Sequence, residues 1–171
     1  YGAPTDMSTN AVTFRNVAGT TKGDVLVADA NGAEFYANSG PDVLIGGAGN
    51  DRLYAEKGDD LVLGSGGNDV IDGGLGQLDV LRYDGDRADF TLTRDLNGRL
   101  VIHKGDGHYD VVGGIEALRF DDGTVSVATL GTLPKTLFGT DDADYIEVTS
   151  GHDVVLAGSG YDRVASAFSF T

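Results

Sequence analysis

The sequence predicts an all-β protein built from two arrays of short repeats with longer strands between them. The first observation is a nine-residue pattern that recurs with a large apolar residue at its eighth position. The second is composition: the 171 residues include 27 glycines, and only four of the 27 acidic residues are Glu, so Asp and Gly favour turns over helices. The third is the stretch between the arrays, where apolar and polar residues alternate as in half-buried strands.

Charge and composition exclude several classes of partner. A formal net charge of -15 leaves no basic patch for nucleic acid. The absence of Cys excludes disulfides and thiolate metal sites. No run approaches the roughly 18 apolar residues that span a bilayer, so we expect no membrane span. Because the start YGAPTDMSTN lacks an initiator Met and a signal-peptide pattern, we expect a piece of a longer protein.

The first array contains seven units without a gap, beginning at Gly19: GTTKGDVLV, ADANGAEFY, ANSGPDVLI, GGAGNDRLY, AEKGDDLVL, GSGGNDVID and GGLGQLDVL. The fourth and sixth units follow G-G-x-G-x-D-x-U-x, with U a large apolar residue, except that Ser65 replaces a glycine. The seventh has Leu78 where Asp is expected and Asp79 one residue later, so it is displaced by one residue. A second array, GTDDADYIE, VTSGHDVVL and AGSGYDRVA, begins at Gly139.

Each unit combines a turn with a three-residue strand. Glycines permit positive φ and leave carbonyl oxygens uncovered, as a tight ligand-binding turn requires. The x-U-x tail points one residue inward and two outward. The core residues predicted for the first array are Leu26, Leu44, Val62 and Val80 on one side and Phe35, Leu53 and Ile71 on the other. This core is too thin to hold the fold alone.

The nonapeptide pattern resembles the RTX (hemolysin-type) family of calcium-binding repeats. For such repeats the resemblance implies a parallel β-roll, in which six residues form a turn, three form a strand and two units complete one coil. Units two apart therefore stack on the same side. A flexible Gly/Asp-rich linker is the alternative, but a linker has no reason to keep Leu, Val or Ile at each eighth position.

Stacking every second unit brings the sixth-position carboxylates together. Carboxylates about one strand spacing (~4.8 Å) apart repel each other unless a cation lies between them. Carboxylate and carbonyl oxygens in a flexible ring favour Ca²⁺ over Mg²⁺. The expected bridges are Asp24 with Asp42, Asp42 with Asp60, Asp60 with Asp79, Asp51 with Asp69, and Asp144 with Asp162.

Two positions are expected to weaken this arrangement. Ala33 stands where Asp51 needs a carboxylate partner, and Asp153 would need one at residue 171, which is Thr171. In all, about four to six Ca²⁺ ions are expected. The glycines expected to present carbonyl oxygens are Gly40, Gly46, Gly47, Gly49, Gly58, Gly64, Gly66, Gly67, Gly73, Gly74, Gly76, Gly158 and Gly160.

The remaining segments are predicted to flank and close the arrays. DFTLTRDLNGRLVIHK reads as two strands around Asn97-Gly98, and ALRFDDGTVSV as two more around Asp121-Asp122-Gly123. These strands should form an antiparallel cap on the open coil. We expect five parts: an N-terminal flank (1–18), a first roll (19–83), a cap (84–128), a linker (129–138) and an incomplete second array (139–171).

The outer faces of the first roll differ in character. One is entirely apolar, so we expect the cap strands or the N-terminal segment to cover it, or else a neighbouring domain. Its residues are Val25, Val27, Val43, Ile45, Leu61 and Leu63. On the other face, Tyr36 and Tyr54 beside Arg52 could form a platform for a sugar ring, although plain β-forming surface residues explain them better.

No other constellation supports catalysis. His103, His108 and His152 fit ordinary surface positions, and the Asp pairs follow the repeat rather than a glycosidase geometry. GGAGND lacks the Lys-Ser/Thr and the helix of a phosphate-binding loop. We therefore predict a non-catalytic, calcium-dependent folding module of a secreted or cell-surface bacterial protein. Resemblance to RTX proteins implies type I secretion and folding outside the cell. The alternative is a polysaccharide-binding module attached to an enzyme or adhesin.

Overall fold

The computed structural model describes residues 16–148 and 152–166, and its regular structure is almost entirely β. Eight strands of three residues each follow one another, and each begins nine residues after the one before it except β8, which begins ten residues after β7. They are β1 (Asn16–Ala18), β2 (Val25–Val27), β3 (Glu34–Tyr36), β4 (Val43–Ile45), β5 (Arg52–Tyr54), β6 (Leu61–Leu63), β7 (Val70–Asp72) and β8 (Val80–Arg82). Successive strands alternate between two sheets. Odd-numbered strands pair in parallel with one another, as do even-numbered ones, which is the predicted parallel β-roll.

The two sheets enclose a narrow core of eighth-position side chains. Leu44 pairs with Val62 in one sheet, and Phe35 with Leu53 in the other, eighteen residues apart. All four are buried, whereas Leu26 at the start of its sheet is half-buried. Strand β1 adds Val17 opposite Phe35, so the roll begins within the segment expected to flank it.

The core position of the seventh unit differs from the prediction. Val62 pairs with Leu81, not with Val80. Leu81 is fully buried, whereas Val80 is half-buried on the outer side. The residue inserted before Asp79 shifts the whole strand by one position, and in a strand a one-residue shift exchanges the inner and outer faces.

A three-stranded meander and a hairpin extend the roll at its far end. Their strands are β9 (Thr91–Arg94), β10 (Leu100–His103), β11 (Tyr109–Gly113), β12 (Ala117–Phe120) and β13 (Gly123–Ser126). β9, β10 and β11 form an antiparallel meander whose last strand pairs in parallel with β7, and the β12–β13 hairpin pairs in the same way with β8. Both predicted hairpins are therefore present, and the cap occupies the open edge of each sheet.

The apolar outer face is not buried by the cap. Val25 and Val27 are 67% and 58% exposed, and the other four residues of that face are half-buried. The expectation that the cap strands would cover this face is wrong because they lengthen the sheets in their own plane instead of lying across them. Coverage by the N-terminal segment concerns residues 1–15, which lie outside the described residues.

The second array forms a smaller roll. Its strands are β14 (Thr136–Phe138), β15 (Tyr145–Val148), β16 (Val154–Leu156) and β17 (Arg163–Ser166), paired β14 with β16 and β15 with β17. β14 lies in the segment expected to be a linker. It contacts the cap through buried Thr136, whose Oγ1 lies 2.9 Å from Nε2 of half-buried His103. His103 is thus a junction residue and not an ordinary surface histidine.

Candidate metal centre

The sixth-position carboxylates form two columns along the turns of the first roll. In each column a backbone N–H donates to Oδ1 of the aspartate one coil further on. The first column joins Asp24 to Asp42, Asp42 to Asp60 and Asp60 to Asp79, with N···O distances of 2.7, 2.7 and 2.8 Å. The second column joins Ala33 to Asp51 and Asp51 to Asp69, at 2.7 and 2.9 Å. These bonds fix one oxygen of each carboxylate and orient the other.

In the first column, the second carboxylate oxygens lack a protein donor. Oδ2 of Asp42, Asp60 and Asp79 is buried without a hydrogen-bond partner. A buried charged oxygen without a partner is costly, and such atoms are rare in folded proteins. Cations bound along the column would satisfy these oxygens, so the donor set of this column fits the Ca²⁺ expected from the repeat.

The electrostatics of the column agree with a requirement for positive charge. Burial, together with the charges of the neighbouring Asp42 and Asp79, raises the pKa of Asp60 to about 6. Burial also raises the pKa of Asp42 and of Asp79. The column therefore disfavours its own ionised form unless a cation compensates the charge.

Backbone oxygens have to complete any such site. Residues 16–148 and 152–166 contain no cluster of three or more His, Cys, Asp or Glu side chains placed to hold a metal. In the turns, the backbones of successive coils approach so closely that only glycine fits. A Cβ at Gly47 would lie 1.8 Å from the Asp29 carbonyl oxygen, and a Cβ at Gly58 would lie 1.9 Å from the Gly40 carbonyl oxygen. Gly58 also has a φ of 146°, which disfavours any other residue there.

The cap continues both columns with carboxylates that the sequence analysis did not identify. Asp69 donates its N–H to Oδ1 of Asp110 at 3.0 Å, and Asp79 donates its N–H to Oε2 of Glu116 at 2.8 Å. Asp110 stands two residues before Val112, which pairs with Ile71, and Glu116 stands two residues before Leu118, which pairs with Leu81. The D-x-U pattern is present in YDVVG and, with Glu in place of Asp, in IEALR, but both lie off the nine-residue period.

Comparison with known proteins agrees with this geometry. A family model described as RTX calcium-binding nonapeptide repeat matches in four copies, at residues 36–71 and 136–164. These are RTX repeats. The matched residues include the whole of β4, β5 and β6 in the first roll, and β14, β15 and β16 in the second array.

A solved structure has the same fold. The crystal structure of extracellular lipase LipA from Serratia marcescens superposes with a TM-score of 0.56 at 21% sequence identity. The match covers 80% of this chain and 24% of the lipase, so this chain corresponds to about a quarter of that protein's length. A search of curated protein sequences gave no significant match. Among the described residues, no helix is long and apolar enough to cross a membrane.

The second RTX array repeats the column geometry in part. Asp144 donates its N–H to Oδ1 of Asp162 at 3.0 Å, across the predicted eighteen residues. Asp153 instead accepts from the N–H of Lys135 at 3.0 Å. The residue one coil before Asp153 is thus a lysine and not a carboxylate, and Thr171, the residue one coil after it, lies outside the described residues.

The predicted aromatic platform is present on the other face of the RTX roll. The rings of Tyr36 and Tyr54 stack with centroids 5.0 Å apart and planes 18° from parallel. They line one wall of a surface groove of about 340 Å³ together with Glu56, Lys57, Asp72, Gly74 and Leu75. Arg52, expected beside them, does not line this groove; it lines a separate depression with Glu34 and Asn50.

Proposed function

We propose that this chain is a non-catalytic, calcium-dependent folding module of a larger secreted bacterial protein. The observation that carries the proposal is the row of buried, unpartnered Oδ2 atoms on Asp42, Asp60 and Asp79. Ions bound along this row would satisfy oxygens that no protein group reaches. Asp51, Asp69, Asp144 and Asp162 supply the corresponding carboxylates elsewhere, for a total of about four to six ions.

Calcium should decide whether the chain folds. Each three-residue strand of the roll contributes only its central side chain to the core, and the formal net charge is -15. Carboxylates brought together in columns oppose folding through mutual repulsion and lost hydration. An ion that binds the folded chain and not the unfolded one contributes its binding free energy to folding.

Dependence on calcium would suit a secreted protein. The chain would remain unfolded where free calcium is scarce, inside the cell, and fold where calcium is abundant, outside it. This is the behaviour that resemblance to RTX proteins implies for type I secretion, and the shared fold with a segment of an extracellular lipase supports an extracellular setting. Affinities in the millimolar range would give the required switch.

Far-UV circular dichroism tests the proposal directly. In EGTA the spectrum should be that of a largely disordered chain, and a β spectrum should develop cooperatively as Ca²⁺ rises to millimolar concentrations. Mg²⁺ at the same ionic strength is the control and should have little effect, because it demands a smaller, rigid octahedral site. A spectrum that is the same in EGTA and in Ca²⁺ would exclude a calcium-dependent folding module.

A second function, polysaccharide binding, is favoured by the groove beside Tyr36 and Tyr54. The stacked rings offer an apolar surface, and Glu56, Asp72 and Lys57 offer acceptors and donors for hydroxyl groups. Calorimetric titration of the calcium-loaded chain with oligosaccharides should show binding that Tyr54→Ala abolishes. Tyr145→Ala, at an exposed tyrosine in the second array, is the matched control. Binding that persists in Tyr54→Ala would remove the groove from consideration.

A further inference from the structure

A buried lysine lies at the cap end of the second column. Lys104 follows β10 in the cap, yet its side chain is only 8% exposed. Its Nζ lies 2.7 Å from Oδ1 of Asp110 and 3.5 Å from Oδ2 of Asp69. It also donates to the carbonyl oxygen of Ser65 at 2.5 Å. The ammonium therefore lies in the second column between Asp69, its last carboxylate from the repeats, and Asp110, its carboxylate from the cap.

The oxygens around Nζ are of the kinds that calcium would use. Two come from carboxylates on successive coils and one from a backbone carbonyl in the turn of the sixth unit. The remaining oxygen of Asp110 accepts a hydrogen bond from the hydroxyl of buried Tyr83. Both carboxylates are thus satisfied by protein groups at this position.

The two columns differ at this point. In the first column, the cap contributes Glu116, and Oδ2 of Asp79 stays buried without a partner. In the second column, Oδ2 of Asp51 accepts from the N–H of Gly47 at 2.9 Å, and Asp69 and Asp110 contact Lys104. In the described part of these two columns, the buried carboxylate oxygens without a hydrogen-bond partner all belong to the first column.

We propose that the Lys104 ammonium is an internal cation that takes the place of a metal ion between Asp69 and Asp110. The ammonium excludes a divalent ion from this position, because two cations held among the same buried oxygens would repel each other strongly. The second column therefore needs one ion fewer than its carboxylates suggest. This inference rests on the proposed calcium sites for the comparison of ion numbers, but the position of the ammonium can be measured independently.

The first experiment counts ions in the full chain. Equilibrium dialysis against Ca²⁺, with metal measured by mass spectrometry, should give about one more ion per chain for Lys104→Met than for the wild type. Lys104→Arg keeps the charge and should bind the wild-type number. Arg119→Gln, which removes a charge from an exposed position of β12, should also leave the number unchanged. An unchanged or lower count for Lys104→Met would overturn the proposal.

The second experiment uses the wild-type chain and covers the case in which Lys104→Met does not fold. In saturating Ca²⁺, ¹⁵N-detected lysine side-chain NMR should show one ammonium group protected from exchange, absent from Lys104→Arg. If no ammonium is protected, calcium or water occupies the position and the inference fails. If the wild type binds no calcium yet shows the protected ammonium, the proposed function fails and the internal cation stands.

Discussion

Asp60 donates its backbone N–H to Oδ1 of Asp79 across nineteen residues, whereas the earlier steps of the same column span eighteen. The additional residue is absorbed by the turn, where the N–H groups of Gln77 and Leu78 both donate to Oδ1 of Asp59. Leu78 is left 53% exposed. Asp79 and strand β8 thus keep the same pairing with the coil before them, although the turn that precedes Asp79 is one residue longer.

Neutralising Asp79 should weaken calcium binding without breaking the column. Asp79→Asn keeps an oxygen that can accept the Asp60 N–H but removes the charge from a buried oxygen with no protein donor. We expect the calcium midpoint for folding to rise about tenfold, as expected from the loss of one charged ligand. Circular dichroism during a Ca²⁺ titration measures this midpoint.

The neighbouring Asp59→Asn is the control for that substitution. Asp59 is exposed, and an asparagine there keeps the acceptor for Gln77 and Leu78. Its midpoint should stay within a factor of about two of the wild type. If the calcium midpoint rose equally in Asp79→Asn and Asp59→Asn, calcium-dependent folding would depend on the total charge of the chain and not on the position of Asp79 in the column.

The displaced register makes a separate prediction about the core. Leu81 is fully buried opposite Val62, so Leu81→Ala should lower the free energy of unfolding by about 2–5 kcal/mol. Val80→Ala, at the half-buried outer position, should cost about 1 kcal/mol or less. Urea denaturation in saturating Ca²⁺ compares the two. If Val80→Ala lowered the free energy of unfolding more than Leu81→Ala, Val80 would be the inward residue, as the unbroken nine-residue period predicts.

The period of nine predicted β2 to β7 and β15 to β17, although it missed β1 and β14, which lie one nine-residue step before each array. It placed Leu44, Val62, Phe35, Leu53 and Ile71 in the core because a parallel roll repeats the same geometry on each coil. It failed where the turn length changes, since a strict period cannot follow an insertion. Val80 was assigned inward for this reason, and Asp110 and Glu116 were missed for the same reason.

Side-chain contacts between distant segments were also beyond the sequence pattern. Lys104 is 39 residues from Ser65 along the chain, and nothing in HKGDGH distinguishes it from an exposed turn lysine. Its burial follows from the parallel pairing of β11 with β7, which carries the preceding turn over the sixth unit. Pairing partners after an irregular loop are set by packing of the whole sheet and not by local propensity.

The β9–β10 turn should respond to acid independently of calcium. Burial by itself raises the pKa of the Asp95 carboxyl, but hydrogen bonds from Arg99 and Asn97 outweigh it and hold the pKa below its usual value. Arg99 Nε lies 2.7 Å from Oδ2 of Asp95. Because the folded pKa is the lower one, the pair stabilises the fold above the unfolded pKa of about 3.9. That contribution is lost as pH falls through the folded value.

Carbon-detected NMR titration of the calcium-loaded chain would report this pKa. Arg99→Gln should raise the pKa of Asp95 toward its usual value, because the guanidinium is lost while the backbone N–H of residue 99 still donates. Arg119→Gln removes an equal charge elsewhere on the cap and should leave it unchanged. An unaltered Asp95 pKa in Arg99→Gln would show that burial and backbone donors alone set it.

Restoring a carboxylate at position 33 should add an ion to the second column. Ala33 is buried and donates its N–H to Oδ1 of Asp51 at 2.7 Å, so it occupies the place of a column aspartate without its charge. Ala33→Asp would place a carboxylate one coil before Asp51, with an asparagine and a glycine before it in the turn. Equilibrium dialysis should then find about one more Ca²⁺ per chain than in the wild type.

The same substitution should make folding more dependent on calcium. An added buried carboxylate repels Asp51 when no ion is bound, so the chain should be less structured in EGTA. The folding transition should also depend more steeply on the calcium concentration. Ala33→Asn adds a similar volume and an acceptor without charge, and should gain no ion. If Ala33→Asp and Ala33→Asn bind the same number of ions as the wild type, the sixth-position carboxylate does not decide where this roll binds calcium.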